Sequence, residues 1–142
     1  MRMLMLLSGV LLTLPVTAAE LKLRVHSENL LGKEVRVALY DSAHGFPDND
    51  DEARTAKQLV PDNKIIANEV AFLFSDLPPG VYAVAAFADS NSNGKLDRNF
   101  LGIPSEPYGF SRDARGLTSA PGFAEAAFRV GETDAIQTLQ LK

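Results

Sequence analysis

Residues 88–98 read ADSNSNGKLDR, and the oxygen-bearing side chains of that run offer the most specific chemistry in the chain. Asp89, Asn91, Asn93 and Asp97 alternate with small or solvent-facing residues around a turn at Gly94. A hard cation such as calcium takes six to eight oxygens, and a loop of this kind supplies them from its first, third, fifth and ninth positions and from the carbonyl of the seventh. The expected site is therefore Asp89, Asn91, Asn93, the Lys95 carbonyl and Asp97, completed by water or by Glu106 or Asp113. The twelfth position, where a bidentate acid would raise affinity, is Phe100. Two carboxylates imply weak binding, on the order of 10⁻⁴ to 10⁻³ M. The same residues also suit a polar turn in which Asn and Asp side chains accept from nearby backbone N–H groups, and the sequence leaves both readings open.

The continuation to SEPYGFSRDARG carries a second set of candidates. Glu106, Tyr108 and Arg115 are of the types that anchor a partner or stack on a sugar when an ordered loop displays them. Phe100 and Phe110 are expected to plug one end of the fold instead, because large apolar groups are usually tucked away. The acids Asp48, Asp50, Asp51 and Glu52 read as the first turn of a helix, where they complement its dipole. His26 and His44 are too few for a zinc site. With no cysteine and no GxSxG elbow, no nucleophile is assembled beside a base, so no enzyme activity is expected. The competing class is a small hydrolase or lyase working in a cleft of the long loop.

The elements that must position these groups are strands. ELKLRV places Leu21, Leu23 and Val25 on one face, EVRVALY does so with Val35, Val37 and Leu39, and NEVAFLF with Val70, Phe72 and Phe74. After the turn DLPPG, VYAVAAFA is apolar on both faces, as befits a central strand. AAFRV follows, and IQTLQL alternates imperfectly through Ile136, Thr138 and Leu139. The pattern predicts an all-β, antiparallel sandwich of about seven strands. Two segments break the rhythm. One predicts a short helix over 52–59, capped by Asp48 or Asp50 and supported by an Asp50–Arg54 pair. The other, from Asp89 to about Pro121, is one long ordered loop.

The first nineteen residues are expected to be a signal peptide: Arg2, an apolar stretch over 3–14, then VTAA. The apolar stretch is too short to span a bilayer, so no membrane anchor is expected. Removal of this leader leaves one domain, 20–142, and moves the formal charge from −4 to −5. That acidity argues against nucleic acid and against an anionic membrane surface as partners. An exported chain without cysteine has no disulfides, so core packing alone must hold it. The compartment is periplasmic or extracellular, the partner an envelope or extracellular ligand, and calcium abundant enough to fill a weak site.

VRVALYDSAHGF, DLPPGVYAVAAFADSNSNGKLDRNFLGIPSEPYGFS and ARG followed by APGFAEAAFRV together resemble the small exported bacterial proteins grouped as domain of unknown function family 2141. The resemblance implies a prealbumin-like, transthyretin-like sandwich and brings no catalytic residues with it. Hydrolases of that fold use several histidines and a C-terminal YRGS, whereas this chain ends LQLK.

Overall fold

A computed structural model describes residues 10–14, 18–61, 68–117 and 119–142. The first strand, β1 (Ala19–His26), is followed by β2 (Glu34–Tyr40), β3 (Arg54–Leu59), β4 (Glu69–Leu77) and β5 (Gly80–Asp89). Three short elements, β6 (Tyr108–Phe110), a single helical turn α1 (Phe123–Ala126) and β7 (Phe128–Val130), precede the closing strand β8 (Ala135–Gln140). The strands form an all-β sandwich: a three-stranded sheet in the order β4-β1-β8, and a five-stranded one in the order β3-β2-β5-β6, with β7 also on β5.

The expected inward faces are the observed ones. Leu21, Leu23 and Val25 are fully buried, and Val35, Val37 and Leu39 of β2 and Val70, Phe72 and Phe74 of β4 are buried with them in one core. Period-two alternation leaves a strand one way to bury its apolar set, so these positions follow directly from sequence. β5 is central, with β2 on one side and β6 and β7 on the other. Its inner face joins the main core through Tyr82, Val84, Ala86 and Ala88. Its outer face carries Ala83 and Ala85 beneath a second cluster with Phe110, Phe46 and Phe123.

Several expectations change. The helix over 52–59 is not formed. Asn49, rather than Asp48 or Asp50, caps a 3-10 turn at Asp50–Glu52, and Arg54–Leu59 runs as β3 antiparallel to β2. A helix there has almost no apolar stripe to bury, whereas a strand satisfies the hydrogen-bonding edge of β2 over six residue pairs. With no helix there is no Asp50–Arg54 pair; Arg54 donates instead to the Ser75 carbonyl at 2.8 Å and the Asp76 carbonyl at 3.3 Å. β3 brings the strands among the described residues to eight.

The sandwich is also not wholly antiparallel, because β8 pairs with β1 in parallel, from Leu21↔Ala135 to His26↔Gln140. On β8 the inward residue is Leu139, followed by Leu141, and Ile136 points out at 63 % exposure. The single long loop is two segments, since β6 returns to pair with β5 at Tyr108–Phe110.

That return also joins the two sheets. Beyond β8, Lys142 exchanges two backbone hydrogen bonds with Tyr108, at 3.0 and 3.1 Å. Gly109 sits in the seam: a Cβ there would stand 2.5 Å from the Gln140 carbonyl oxygen. Where β6 ends, the buried Ser111 hydroxyl accepts from Val84 N–H at 2.9 Å and donates to the Ala126 carbonyl. The next two residues, Arg112 and Asp113, take left-handed φ of 59° and 50°. Arg112 donates to the Ala127 carbonyl, and Asp113 accepts from Gln140 N–H at 2.9 Å.

Of the expected leader, residues 1–9 and 15–17 lie outside the described residues. Among those described, Val10, Leu11, Leu12 and Leu14 are more than 80 % exposed, and every buried core residue is Ala19 or later. No helix among the described residues is long and apolar enough to cross a membrane.

Candidate functional site

The DSNSNG run starts where β5 ends. Asp89 is the last residue of that strand, opposite Glu34 of β2, on the outer face of the five-stranded sheet. It is completely buried. One carboxylate oxygen accepts from Asn93 N–H at 3.2 Å; the other accepts from Gly94 N–H at 2.7 Å and from Arg36 Nε at 3.2 Å. Arg36 projects from β2 on the same face and is paired with Glu34 as well. Its guanidinium lies directly under the loop: three of its atoms are 3.5–3.6 Å from the point where a Cβ on Gly94 would stand. Gly94 has φ of +80°, which only glycine adopts freely.

Asn91, Asn93 and Asp97 converge above this base. The Nδ2 atoms of Asn91 and Asn93 donate to the two oxygens of Asp97 at 2.7 and 2.8 Å. Their amide oxygens accept from Asn93 N–H and Lys95 N–H, which are Asx turns. Glu106, expected on a ligand surface, is a brace. Only 7 % exposed, it accepts from Ser90 N–H at 2.8 Å and Asp97 N–H at 3.1 Å, spanning the two sides of the loop.

Each expected cation ligand that contributes a side chain is thus already supplied with N–H donors by the chain itself. Asp89 fits the cation role poorly, because a guanidinium already neutralises it. Asn91, Asn93 and Asp97 fit better: turning the two amides over would direct their oxygens toward the point they share with Asp97. Among the described residues no group of three or more His, Cys, Asp or Glu side chains is placed to hold a metal.

Beyond Asp97 the loop makes a tight hairpin-like turn, with Arg98 and Pro104 bridged across its neck. Asn99 organises it: its side-chain oxygen accepts from Leu101 N–H at 2.9 Å and Ile103 N–H at 3.1 Å, its N–H donates to the Ile103 carbonyl, and its carbonyl accepts from Gly102 N–H. Arg98 donates to the Gly102 carbonyl at 3.1 Å. The tip holds three large apolar side chains in solvent, Phe100 at 95 % exposure, Leu101 at 67 % and Ile103 at 55 %. Phe100 therefore does not plug the sandwich. Phe110 is buried, but in the cluster on the outer face of β5 rather than at the end of the sandwich, with its ring edge-on to Phe46 and Tyr108. Phe100 is carried away from the core by the turn that Asn99 closes.

Tyr108 is half-buried beside Phe110, with the Arg115 guanidinium 5.0 Å from its ring centre. Arg115 also donates to the Tyr108 carbonyl at 3.2 Å. These two form a cation–π pair at the seam, and Glu106 is not with them on the surface. An open cleft of about 540 Å³ lies between the 3-10 turn and the β4–β5 turn, lined by Asp41, Asp51, Glu52, Arg54 and Tyr82 among others. A second touches the loop only at Pro107. Neither includes Tyr108 or Arg115.

Sequence reasoning missed Arg36 and the tip. Arg36 occupies an outward position of an alternating strand, where a charge reads as solvent-facing; only the long-range return of the loop covers it. The tip has a local signal in NFLGIP, three apolar residues around a turn glycine, which sequence alone does not distinguish from a segment tucked into the core.

The chain matches, over residues 28–138, a bacterial family described as "Uncharacterized protein conserved in bacteria" (DUF2141) and belongs to that family. No curated protein and no solved structure matches it.

Proposed function

We propose that this member of the family is an exported, non-catalytic binding module. In this reading the sandwich is a rigid mount, and residues 90–107 present a surface to a ligand of the cell envelope or the exterior. The observation that carries it is the contrast within one loop: a base held by Asp89, Arg36, Glu106 and Asp97, and a tip with Phe100 95 % exposed. Apolar side chains held in water by an ordered turn are characteristic of contact surfaces. The leader supports export, and Tyr108 and Arg115 extend the surface toward the seam. Against catalysis stands Ser111, the buried serine of the GFS run, whose hydroxyl is committed to two backbone groups.

The chain has no cysteine, so Leu101→Cys introduces a single thiol for a photo-crosslinker. In cells, the tip should give discrete adducts that the same label at the exposed Glu132→Cys does not. Equal labelling at both positions, or none at either to protein or to lipid, removes the reading. A small hydrolase or lyase is the other class. Turnover in a broad substrate screen, lost on Tyr108→Ala or Arg115→Ala, would establish it.

A calcium ion on the loop is a second reading, favoured by the convergence of Asn91, Asn93 and Asp97. An ion that binds only the folded loop raises stability by mass action, about 1.4 kcal/mol at ten times the dissociation constant. Thermal unfolding in chelator, in millimolar calcium and in magnesium decides it. A midpoint indifferent to calcium leaves the loop as a turn held by its own side chains and Arg36.

A further inference from the structure

We propose that the tip at residues 98–104 inserts into a phospholipid interface, with Phe100, Leu101 and Ile103 among the acyl chains and Lys95 and Arg98 at the headgroups. The inference rests on the reading of the loop as a presenting surface and names what that surface meets.

Three observations select lipid. The first is the apolar trio itself, from 55 % to 95 % exposed on a single turn. The second is the state of the backbone. The N–H groups of Asn99, Leu101, Gly102 and Ile103 donate within the turn and the carbonyls of Asn99, Gly102 and Ile103 accept within it, which leaves the Phe100 N–H and the Phe100 and Leu101 carbonyls to the hydrated headgroup layer. A loop entering hydrocarbon must satisfy its polar groups internally, because nothing there replaces water.

The third observation is the local charge. Lys95 and Arg98 are exposed and without an acidic partner among the described residues. The two acids of the loop are turned inward, Asp97 onto the asparagine amides and Glu106 onto backbone N–H groups. Apolar residues with a collar of cations form the usual composition of an interfacial anchor. The net charge of −4 pointed away from anionic membranes. Screening over about 8 Å at physiological ionic strength makes the charges beside the tip decisive over distant ones.

The test uses the chain from Ala19 onward, which holds every core residue buried among the described residues and lacks the expected leader, an apolar segment that would itself bind lipid. The chain has no tryptophan, so Phe100→Trp is a sole reporter. On vesicles of phosphatidylethanolamine and phosphatidylglycerol its emission should shift to the blue and be quenched by brominated acyl chains. Co-sedimentation should fall at least tenfold on Phe100→Ser with Leu101→Ser, at an unchanged thermal midpoint. Lys95→Glu should weaken binding to these vesicles more than to phosphatidylcholine alone. An unshifted emission, or vesicle binding indifferent to the serine pair, overturns the proposal. A tip that ignores vesicles but crosslinks to a protein from position 101 also overturns it, while leaving the presenting role intact; no shift and no adduct removes both.

Discussion

Asp89 is the residue on which the loop turns. Buried at the end of β5, its carboxylate receives two loop N–H groups and one guanidinium. Asp89→Ala orphans all three and leaves Arg36 facing Glu34 alone. The expected loss is about 3 kcal/mol, the scale for removing one partner of a buried, hydrogen-bonded ion pair. Asp97→Asn keeps the size of the side chain and an oxygen for one of the two asparagine amides, so it should cost less than half as much; denaturant unfolding of both variants checks the ranking. Arg36→Met removes the internal cation from Asp89, and any calcium dependence of the thermal midpoint should then become larger than in the parent chain. A smaller dependence in Arg36→Met would show that the guanidinium and the ion do not compete.

Tyr40 gives the same scale a pH signature. Its phenol donates to the Pro47 carbonyl at 2.9 Å and is pushed up from 10.0 to about 12, by burial first and then by the charges of Asp50 and Asp48. The folded state prefers the neutral phenol, so this contribution is complete below pH 10 and is lost as pH climbs through about 12. The preference is worth on the order of 2 kcal/mol. Unfolding free energy should therefore decline between pH 10 and 12. Tyr40→Phe should be less stable at neutral pH by about 1 kcal/mol for the lost hydrogen bond, with a flatter decline. Some slope should persist through Tyr82, which burial also raises.

At the scale of elements, the seam between β6 and the end of β8 converts two stacked sheets into one connected wall. Its tolerance is small, because Gly109 faces the Gln140 carbonyl with no space for a side chain. Gly109→Ala must push backbone against backbone, and an overpacking cost of about 1–3 kcal/mol is expected. The damage should be local: amide exchange should accelerate at Tyr108 and Lys142, whose mutual hydrogen bonds close the seam, before it does in β2. Ser111→Ala tests the adjoining latch. It leaves Val84 N–H without its partner in a buried strand and should cost about 1–3 kcal/mol. Equal exchange throughout the sandwich in either variant would mean that the seam and the sheets unfold as one unit.

For the whole molecule, the start of β1 bears on processing. Ala19 is 1 % exposed and opens β1 opposite Leu77, and the next residue, Glu20, donates its N–H to Asp134 at 2.9 Å. Of the two cleavage points that VTAA permits, the one after Ala18 keeps this buried methyl and the one after Ala19 discards it. Exported protein should therefore begin at Ala19, which intact-mass measurement reads directly. A start at Glu20 would show that the strand end tolerates the loss, and retention of the leader would remove the basis for export.

Local pattern alone set the inward faces of β1, β2 and β4, the central place of β5 and the turn at Gly94. These are local matters: period-two burial leaves one solution per strand, and a glycine among asparagines leaves few backbone paths. The tertiary structure decided the rest. Arg54–Leu59 became a strand because β2 had an edge to fill, which no property of RTAKQL announces. β8 lies parallel to β1 because it takes the edge of β1 that β4 leaves open, a long-range pairing that no local pattern announces. Glu106 became a brace, Arg36 an internal cation and Phe100 an exposed tip because each depends on where a distant segment returns. A charged residue looks the same in sequence whether a loop closes over it or water does, and an apolar one looks the same in a core and on a turn that holds it clear of one.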